Sequence, residues 1–181
     1  NLSWRHSADP LQFWITSSGR QKGELTKADM LLVGDGGWLL EGKGKPSAET
    51  ALHQVLYRKF DIGAVFHVHT IKSAWVSAHC GDAMILRGLE MIKGFDRWEP
   101  DAEAVVPVVE NHHDIPRLAQ AVEAAARSDI PAVLVRNHGI YAWGSTCAEA
   151  RRHVEITEYL CEYSYLTMLM SARRPEAPSR S

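Results

Sequence analysis

A hairpin signal in the first quarter of the chain constrains the fold more strongly than any other feature. Residues 30–40 form two apolar runs on either side of Asp35-Gly36-Gly37, a turn typical of two antiparallel strands. Helical and strand-like segments alternate irregularly along the rest of the chain, without an internal repeat. The sequence therefore predicts an α/β fold with one central mixed, largely antiparallel β-sheet that is layered with helices.

Turn and capping residues indicate where the other elements begin and end. Strands are predicted at residues 11–16, 63–70, 105–109 and 132–136. Pro107 suggests an edge position or a distortion of its strand. Helices are predicted at residues 47–60, 72–79, 114–127 and 146–170, with Ser47, Asp114 and Thr146 as their capping residues. Residues 85–95 indicate an irregular or helical stretch.

Length and composition predict a single domain. The 181 residues, 45% apolar and 23% charged, fall in the range of one compact globular unit, so residues 1–181 form one predicted domain. The polar, proline-containing segment at about 172–181 is predicted to be a frayed tail. The chain opens at Asn1 without a methionine, and we expect further residues before it.

The charge and the cysteine content limit which partners and which cellular compartment the sequence predicts. The formal net charge is −2 and the lysines and arginines are scattered, so neither nucleic acid nor an anionic membrane is an expected partner. No apolar run approaches the roughly 18 residues of a membrane span. Three cysteines without a close-spaced pair are typical of a reducing compartment, and a cytoplasmic location is therefore predicted.

Histidine spacing points to a metal site. His67 and His69 are two residues apart on a predicted strand, so both side chains leave the same face and can converge on one cation. His138 is the best third ligand because it follows the apolar run 132–135 at a strand end. For an isolated His-x-His pair, a core hydrogen bond and a solvated ring remain the alternative. The adjacent pair at 112–113 points opposite ways and favours a surface loop.

Longer sequence motifs in this chain resemble those of a known protein family. The segments at residues 45–50, 67–69 and 136–144 occur in the order seen in the class II aldolases and their relatives, and the resemblance covers nearly the whole chain. Within that group the chain most resembles the methylthioribulose-1-phosphate dehydratases. The more discriminating segments are residues 88–94, 111–115 and 149–155.

The resemblance implies an enzyme that acts on a small phosphorylated keto-sugar. It implies one zinc per subunit on His67, His69 and His138, a homotetramer with sites near subunit boundaries, and dehydration of 5-methylthioribulose 1-phosphate to 2,3-diketo-5-methylthiopentyl 1-phosphate in methionine salvage. A class II sugar-phosphate aldolase or epimerase is the alternative, because all three reactions form an enolate or enediolate that a Lewis acid stabilises. A third possibility is a structural or signalling protein on the same scaffold, which loss of the three histidines would favour.

Two glutamates are candidate acid/base residues. By the resemblance, Glu90 matches the general acid/base of the dehydratases, and it ranks above Glu49, which matches an acid that aldolases use for proton transfer. Some dehydratases have no acid at the position of Glu49. The structural alternatives are a first-turn carboxylate stabilised by the helix dipole by about 0.3–1 kcal/mol for Glu49, and an exposed carboxylate beside Arg87 and Lys93 for Glu90.

A phosphate site requires clustered hydrogen-bond donors, which backbone amides and short hydroxyl groups supply. By the same resemblance, the phosphate of the substrate would lie against Asn1, Ser18, Gly19 and Ser47, with Lys22 as a charged helper. Each of these residues alone is more typical of a turn or a helix cap. Only their joint match indicates a binding site.

Overall fold

The computed structural model describes residues 1–172, apart from the side chain of Lys22. The predicted frayed tail lies outside these residues, except for Ala172, where the last helix ends. The strands are β1 Leu2–Ala8, β2 Leu11–Thr16, β3 Met30–Gly34, β4 Leu39–Glu41, β5 Ala64–Val68, β6 Ala83–Arg87, β7 Glu103–Val109, β8 Ala132–Val135 and β9 Gly139–Gly144. The helices are α1 Thr50–Lys59, α2 Ile71–His79, α3 Ile115–Ala125 and α4 Cys147–Ala172, with short 3₁₀ segments at Lys22–Glu24, Lys27–Asp29 and Glu90–Phe95.

The described strands form one nine-stranded sheet in the order β4-β3-β2-β1-β5-β9-β8-β7-β6. Only β7 and β8 pair in parallel, and every other neighbouring pair is antiparallel. The predicted mixed, largely antiparallel sheet is therefore confirmed, and so is the hairpin that joins β3 and β4. Gly36 and Gly37 in its turn have φ of 96° and 79°, a conformation that glycine adopts without strain.

Helices cover both faces of the sheet. Because side chains alternate along a strand, Tyr141 and Trp143 of β9 enter a core beneath α1 and α3, whereas Ile140 and Ala142 enter a second core beneath α2 and α4. The two cores together hold most of the buried apolar side chains that stabilise the layered fold. In the described part of the chain, no helix has both the length and the apolar character that a membrane span requires.

One end of the sheet is shaped by a tight turn between β8 and β9. Asn137 has a left-handed backbone with φ of 56°, and Gly139 follows two residues later. A Cβ atom on Gly139 would lie 2.2 Å from the carbonyl oxygen of Val68, at the end of β5. Only glycine allows this approach, which brings residue 138 next to the residues that follow β5.

Several predicted boundaries differ from the observed ones. Residues 2–8 and 83–87 form strands that were not predicted, since residues 2–8 are largely polar and residues 85–87 lie in the stretch predicted as irregular or helical. Pro107 does not mark an edge strand: β6 is the edge and β7 lies inside it. Successive N–H groups of a strand point to opposite sides, and the N–H of Val108 faces β6. The missing N–H of Pro107 therefore faces β8, whose pairing with β7 starts only at Val108.

Candidate metal centre

Four side chains converge at the end of the sheet where β5 and β8 finish. Ligand atoms of Glu49, His67, His69 and His138 all lie within 4.8 Å of one another. The Nε2 atom of His69 lies 2.7 Å from Nε2 of His67 and 3.1 Å from Nε2 of His138. The Glu49 carboxylate closes the group, with Oε2 3.3 Å from Nε2 of His67 and Oε1 3.2 Å from Nε2 of His138.

Each of the four residues is positioned by a different local feature. His67 is a buried residue of β5, and His69 follows that strand and is exposed. His138 lies in the glycine-dependent turn before β9. Glu49 occupies the N-cap position of α1, although its side chain caps no backbone amide. Ser47, the predicted N-cap, instead accepts a hydrogen bond from the Glu49 amide at 3.3 Å, because the N-cap of the helix lies two residues later than predicted.

The hydrogen-bonding pattern of His67 suits a cation. Its Nδ1 atom lies 2.9 Å from the carbonyl oxygen of Ile140, which only accepts, so Nδ1 carries the proton. The Nε2 atom then presents a lone pair to the other imidazoles. Lone pairs that face one another at such distances need a positive partner, and three imidazoles with a carboxylate form a donor set that transition metals prefer. The cluster is therefore able to bind a metal ion.

Electrostatics keeps these groups in the protonation states that metal binding requires. Burial, offset only in part by the Glu49 carboxylate, lowers the pKa of His67 to about 3. Burial alone would raise the pKa of Glu49, but the hydrogen bond with His138, the proximity of His67 and the Asn1 amide together hold that pKa below its usual value. At neutral pH the imidazole of His67 is neutral and the carboxylate of Glu49 is ionised.

Replacing Gly139 with alanine should disturb the cluster through the turn that carries His138. The added methyl group meets the backbone of Val68, which has no flexible end to move away, so β5 and the turn must separate. Changes to groups that orient metal ligands without touching the metal typically lower metal affinity by about 10–100-fold, and we expect a loss of that size here. Metal titration and thermal unfolding of the purified variant measure the effect. Gly81→Ala is the matched control, because its Cβ meets nothing within 4 Å; equal metal affinities in the two variants would contradict the prediction.

The predicted phosphate residues fall into two places. Ser17 pairs with Pro46 in an isolated bridge, and the Ser18 amide donates to the Lys45 carbonyl at 2.8 Å, so the turn with Gly19 lies beside the segment that leads to Ser47. Asn1 instead lies against Glu49. The hydroxyl of Ser17 is buried and has no hydrogen-bond partner among the described residues. The position of the Lys22 side chain is outside the described part of the structure.

Glu90 does not join the cluster within one chain. Its side chain is exposed and forms an ion pair with Lys93 at 2.8 Å. β7 is parallel to β8 and β6 is antiparallel to β7, so β6 begins at the end of the sheet where His138 lies and finishes at Arg87 at the other end. Glu90 follows Arg87 by three residues. The sheet therefore separates the two predicted acid/base residues, Glu49 and Glu90.

A largely buried polar chain behind Glu49 was not predicted. It consists of four residues: Asn1, His53, Ser3 and Tyr57. Glu49, His53 and Tyr57 are spaced at i, i+4 and i+8, which places them on one face of a helix, and this spacing is the signal that sequence reasoning overlooked. Asn1 and Ser3 belong to the unpredicted first strand and its start, so their proximity to α1 was not foreseeable.

Comparisons with known proteins agree with this geometry. The family model for the class II aldolase and adducin N-terminal domain matches residues 1–165. This chain belongs to the class II aldolase and adducin family. Two methylthioribulose-1-phosphate dehydratases, from Persephonella marina and Bacillus subtilis, are each 43% identical in sequence to this class II aldolase family member. Each match covers 90% of this chain. It covers 77% of the Persephonella marina protein and 80% of the Bacillus subtilis protein.

A solved structure supports the fold. An L-fuculose 1-phosphate aldolase superposes on this class II aldolase family member with a TM-score of 0.74, covering 98% of this chain and 80% of that one. Its sequence identity is 24%, so the likeness concerns the fold alone. The family assignment confirms the resemblance drawn from the segments around the three histidines.

Proposed function

We propose that this chain is a zinc-dependent hydro-lyase that dehydrates 5-methylthioribulose 1-phosphate to 2,3-diketo-5-methylthiopentyl 1-phosphate in methionine salvage. The observation that carries the proposal is the convergence of three imidazoles and one carboxylate in a chain 43% identical to two proteins named as that dehydratase. The described cysteines are all unpaired, which supports a reducing, cytoplasmic setting for the reaction.

In this proposal His67, His69 and His138 hold one zinc per subunit. When bound, zinc supplies Lewis-acid stabilisation of the negative charge that develops at the ketone oxygen. Glu49 is ionised and lies among the imidazoles, so it is placed to remove the proton from the carbon next to the ketone. The hydroxyl group on the following carbon then leaves as water, with a proton from a second acid. The resulting enol tautomerises to the diketone.

We assign the second acid/base role to Glu90. Within one chain Glu90 lies at the other end of the sheet, so in this proposal it serves the metal site of a neighbouring copy. That arrangement fits the homotetramer, with sites near subunit boundaries, which the family resemblance implies. The exposure of the Glu90 side chain, and its position outside both cores, support a role at a subunit boundary.

The phosphate group is assigned to the region between the turn after β2 and the start of α1. Ser18, Gly19 and Ser47 offer backbone amides and hydroxyl groups from two adjoining segments there, and Lys22 is retained as a charged helper. Asn1 reaches the metal cluster through Glu49. It is therefore assigned to the boundary between the phosphate site and the reacting carbons.

An aldolase or epimerase is the second candidate, and one observation favours it. Glu49 lies inside the imidazole cluster, and the resemblance matches this residue to the proton-transfer acid of the aldolases. Removal of a proton beside the ketone is common to all three reactions, so the metal cluster alone does not separate them. The fate of the carbon skeleton does.

Side-by-side assays distinguish these functions. We expect purified, zinc-loaded protein to consume methylthioribulose 1-phosphate and to release a product that differs from it by one water, with every carbon retained. Fuculose 1-phosphate and rhamnulose 1-phosphate should remain intact. Mass spectrometry of the products reads out both reactions, and chelated protein is the control. Cleavage of either of these sugar phosphates into two fragments, with methylthioribulose 1-phosphate unchanged, would show that the chain is an aldolase.

A further inference from the structure

A chain of hydrogen bonds runs from the core of the molecule to Glu49. The Asn1 amide nitrogen donates to Oε2 of Glu49 at 2.7 Å, and the Asn1 side-chain oxygen lies 2.5 Å from Nε2 of His53. The other ring nitrogen of His53, Nδ1, lies 2.7 Å from the Ser3 hydroxyl, which is 2.8 Å from the hydroxyl of Tyr57. His53, Ser3 and Tyr57 are buried.

The ionised carboxylate determines the direction of every bond in this chain. A carboxylate only accepts, so Asn1 must turn its NH₂ group toward Glu49 and its oxygen toward His53. Because that oxygen also only accepts, Nε2 of His53 must carry the proton. Burial lowers the pKa of His53 well below its usual value, which keeps the ring neutral and leaves Nδ1 as an acceptor.

The direction then continues to the far end of the chain. Ser3 must donate its only hydroxyl proton to Nδ1 of His53, and Tyr57 must therefore donate to Ser3. No member of the chain is able to reverse without placing two donors or two acceptors face to face in a buried site, which is costly. The tautomer of His53 links the two halves of the chain, because its ring donates to Asn1 on one side and accepts from Ser3 on the other.

We propose that His53 is a positioning residue for Glu49: held as the Nε2–H tautomer, it fixes the side-chain amide of Asn1 and thereby the carboxylate. Without the Nε2–H donor, the Asn1 amide loses the partner that sets its orientation, and a flipped amide would present its oxygen to the carboxylate, which repels it. Glu49 then loses the orientation that directs Oε1 to His138 and Oε2 to His67. The role of His53 in turnover rests on the proposed function, whereas its tautomer does not.

The tautomer is tested on the unmodified protein. In a long-range ¹H–¹⁵N correlation spectrum of ¹⁵N-labelled chain, the His53 ring should show a protonated Nε2 and an unprotonated Nδ1, with and without zinc. The His53→Gln variant assigns the signals by their loss. A ring protonated at Nδ1, or at both nitrogens, would overturn the proposal whether or not the chain is a dehydratase.

The positioning role is tested by two substitutions at the same site. His53→Gln retains an amide N–H near the position of Nε2, whereas His53→Phe retains the volume and no donor. We expect kcat of His53→Phe to fall by about 10–100-fold, as for other residues that orient the groups of a site, with KM and zinc content little changed. His53→Gln should recover most of that loss.

A control at the far end of the chain separates positioning from packing. Tyr57→Phe removes the terminal hydroxyl of the chain, and Ser3 still donates to His53, so kcat should fall much less than in His53→Phe although both sites are buried. Equal losses of kcat in the His53→Gln and His53→Phe variants, or a loss that only follows thermal stability, would overturn the positioning role. An unmodified chain that fails to turn over methylthioribulose 1-phosphate would reject the proposed function and leave the tautomer result standing.

Discussion

Replacing His67 with alanine should remove most of the bound zinc and nearly all of the turnover together. His67 is the most deeply buried of the three imidazoles, and the Ile140 carbonyl fixes its orientation at 2.9 Å. Its loss leaves an incomplete set of ligands and a buried cavity beside Glu49, so the other groups have no means of replacing it. Elemental analysis after gel filtration, with turnover measured on the same samples, gives both quantities.

The same result is expected for alanine at residues 69 and 138. His113→Ala is the matched control, because that histidine is exposed in a loop and does not belong to the cluster. It should retain stoichiometric zinc and full activity. Stoichiometric zinc in all three cluster variants would show that the imidazoles do not form the metal site.

Glutamine in place of Glu90 should lower turnover by about 10²–10⁴-fold, the usual contribution of a positioned acid or base. The amide is nearly isosteric and the side chain is exposed, so the fold and the zinc content should not change. The sequence ranks Glu90 above Glu49, but the position of Glu49 among the imidazoles supports a separate proton-transfer role. We therefore expect Glu49→Gln to lower turnover as well. Steady-state kinetics on zinc-quantified samples measure both effects.

Mixing the two variants tests whether Glu90 acts across a subunit boundary. When Glu49→Gln and Glu90→Gln copies are unfolded and refolded together, some sites should combine an intact Glu49 from one copy with an intact Glu90 from its neighbour. Turnover of the mixture should then exceed that of either variant refolded alone. A mixture no more active than its parents would contradict a role for Glu90 across a subunit boundary, and a zinc-loaded Glu90→Gln protein with near-normal turnover would assign the role to Glu49.

Much of the fold follows from local patterns in the sequence. The β3–β4 hairpin and the helix that Asp114 caps both depend on residues close together in the chain. Strand β1 was missed because its alternation is weak: Ser3, although polar, faces a core, and it is stabilised there by hydrogen bonds to α1. Such a polar residue inside a core depends on a partner about fifty positions away.

The candidate site was predictable only in part, for a similar reason. The period-two spacing of His67 and His69 predicts that they share one site, and the position of His138 after an apolar strand predicts the third ligand. The structure brings the three side chains together. The orientation of Asn1 depends on a tautomer of His53, which no spacing encodes. The separation of Glu90 from Glu49 depends on the direction of β6, which was not predicted as a strand.

Strand β9 comes last of the nine along the chain, yet it lies between β5 and β8 in the middle of the sheet. During synthesis, β5 therefore leaves the ribosome with one edge unpaired and waits until Gly144 has been added. At about 5–20 residues per second this delay lasts several seconds, during which an apolar edge is open to wrong partners. His138 directly precedes β9, so it is synthesised together with that strand. A nascent chain that ends before His138 holds two of the three imidazoles, so the set of imidazoles is completed and the sheet is closed in the same late stage of synthesis.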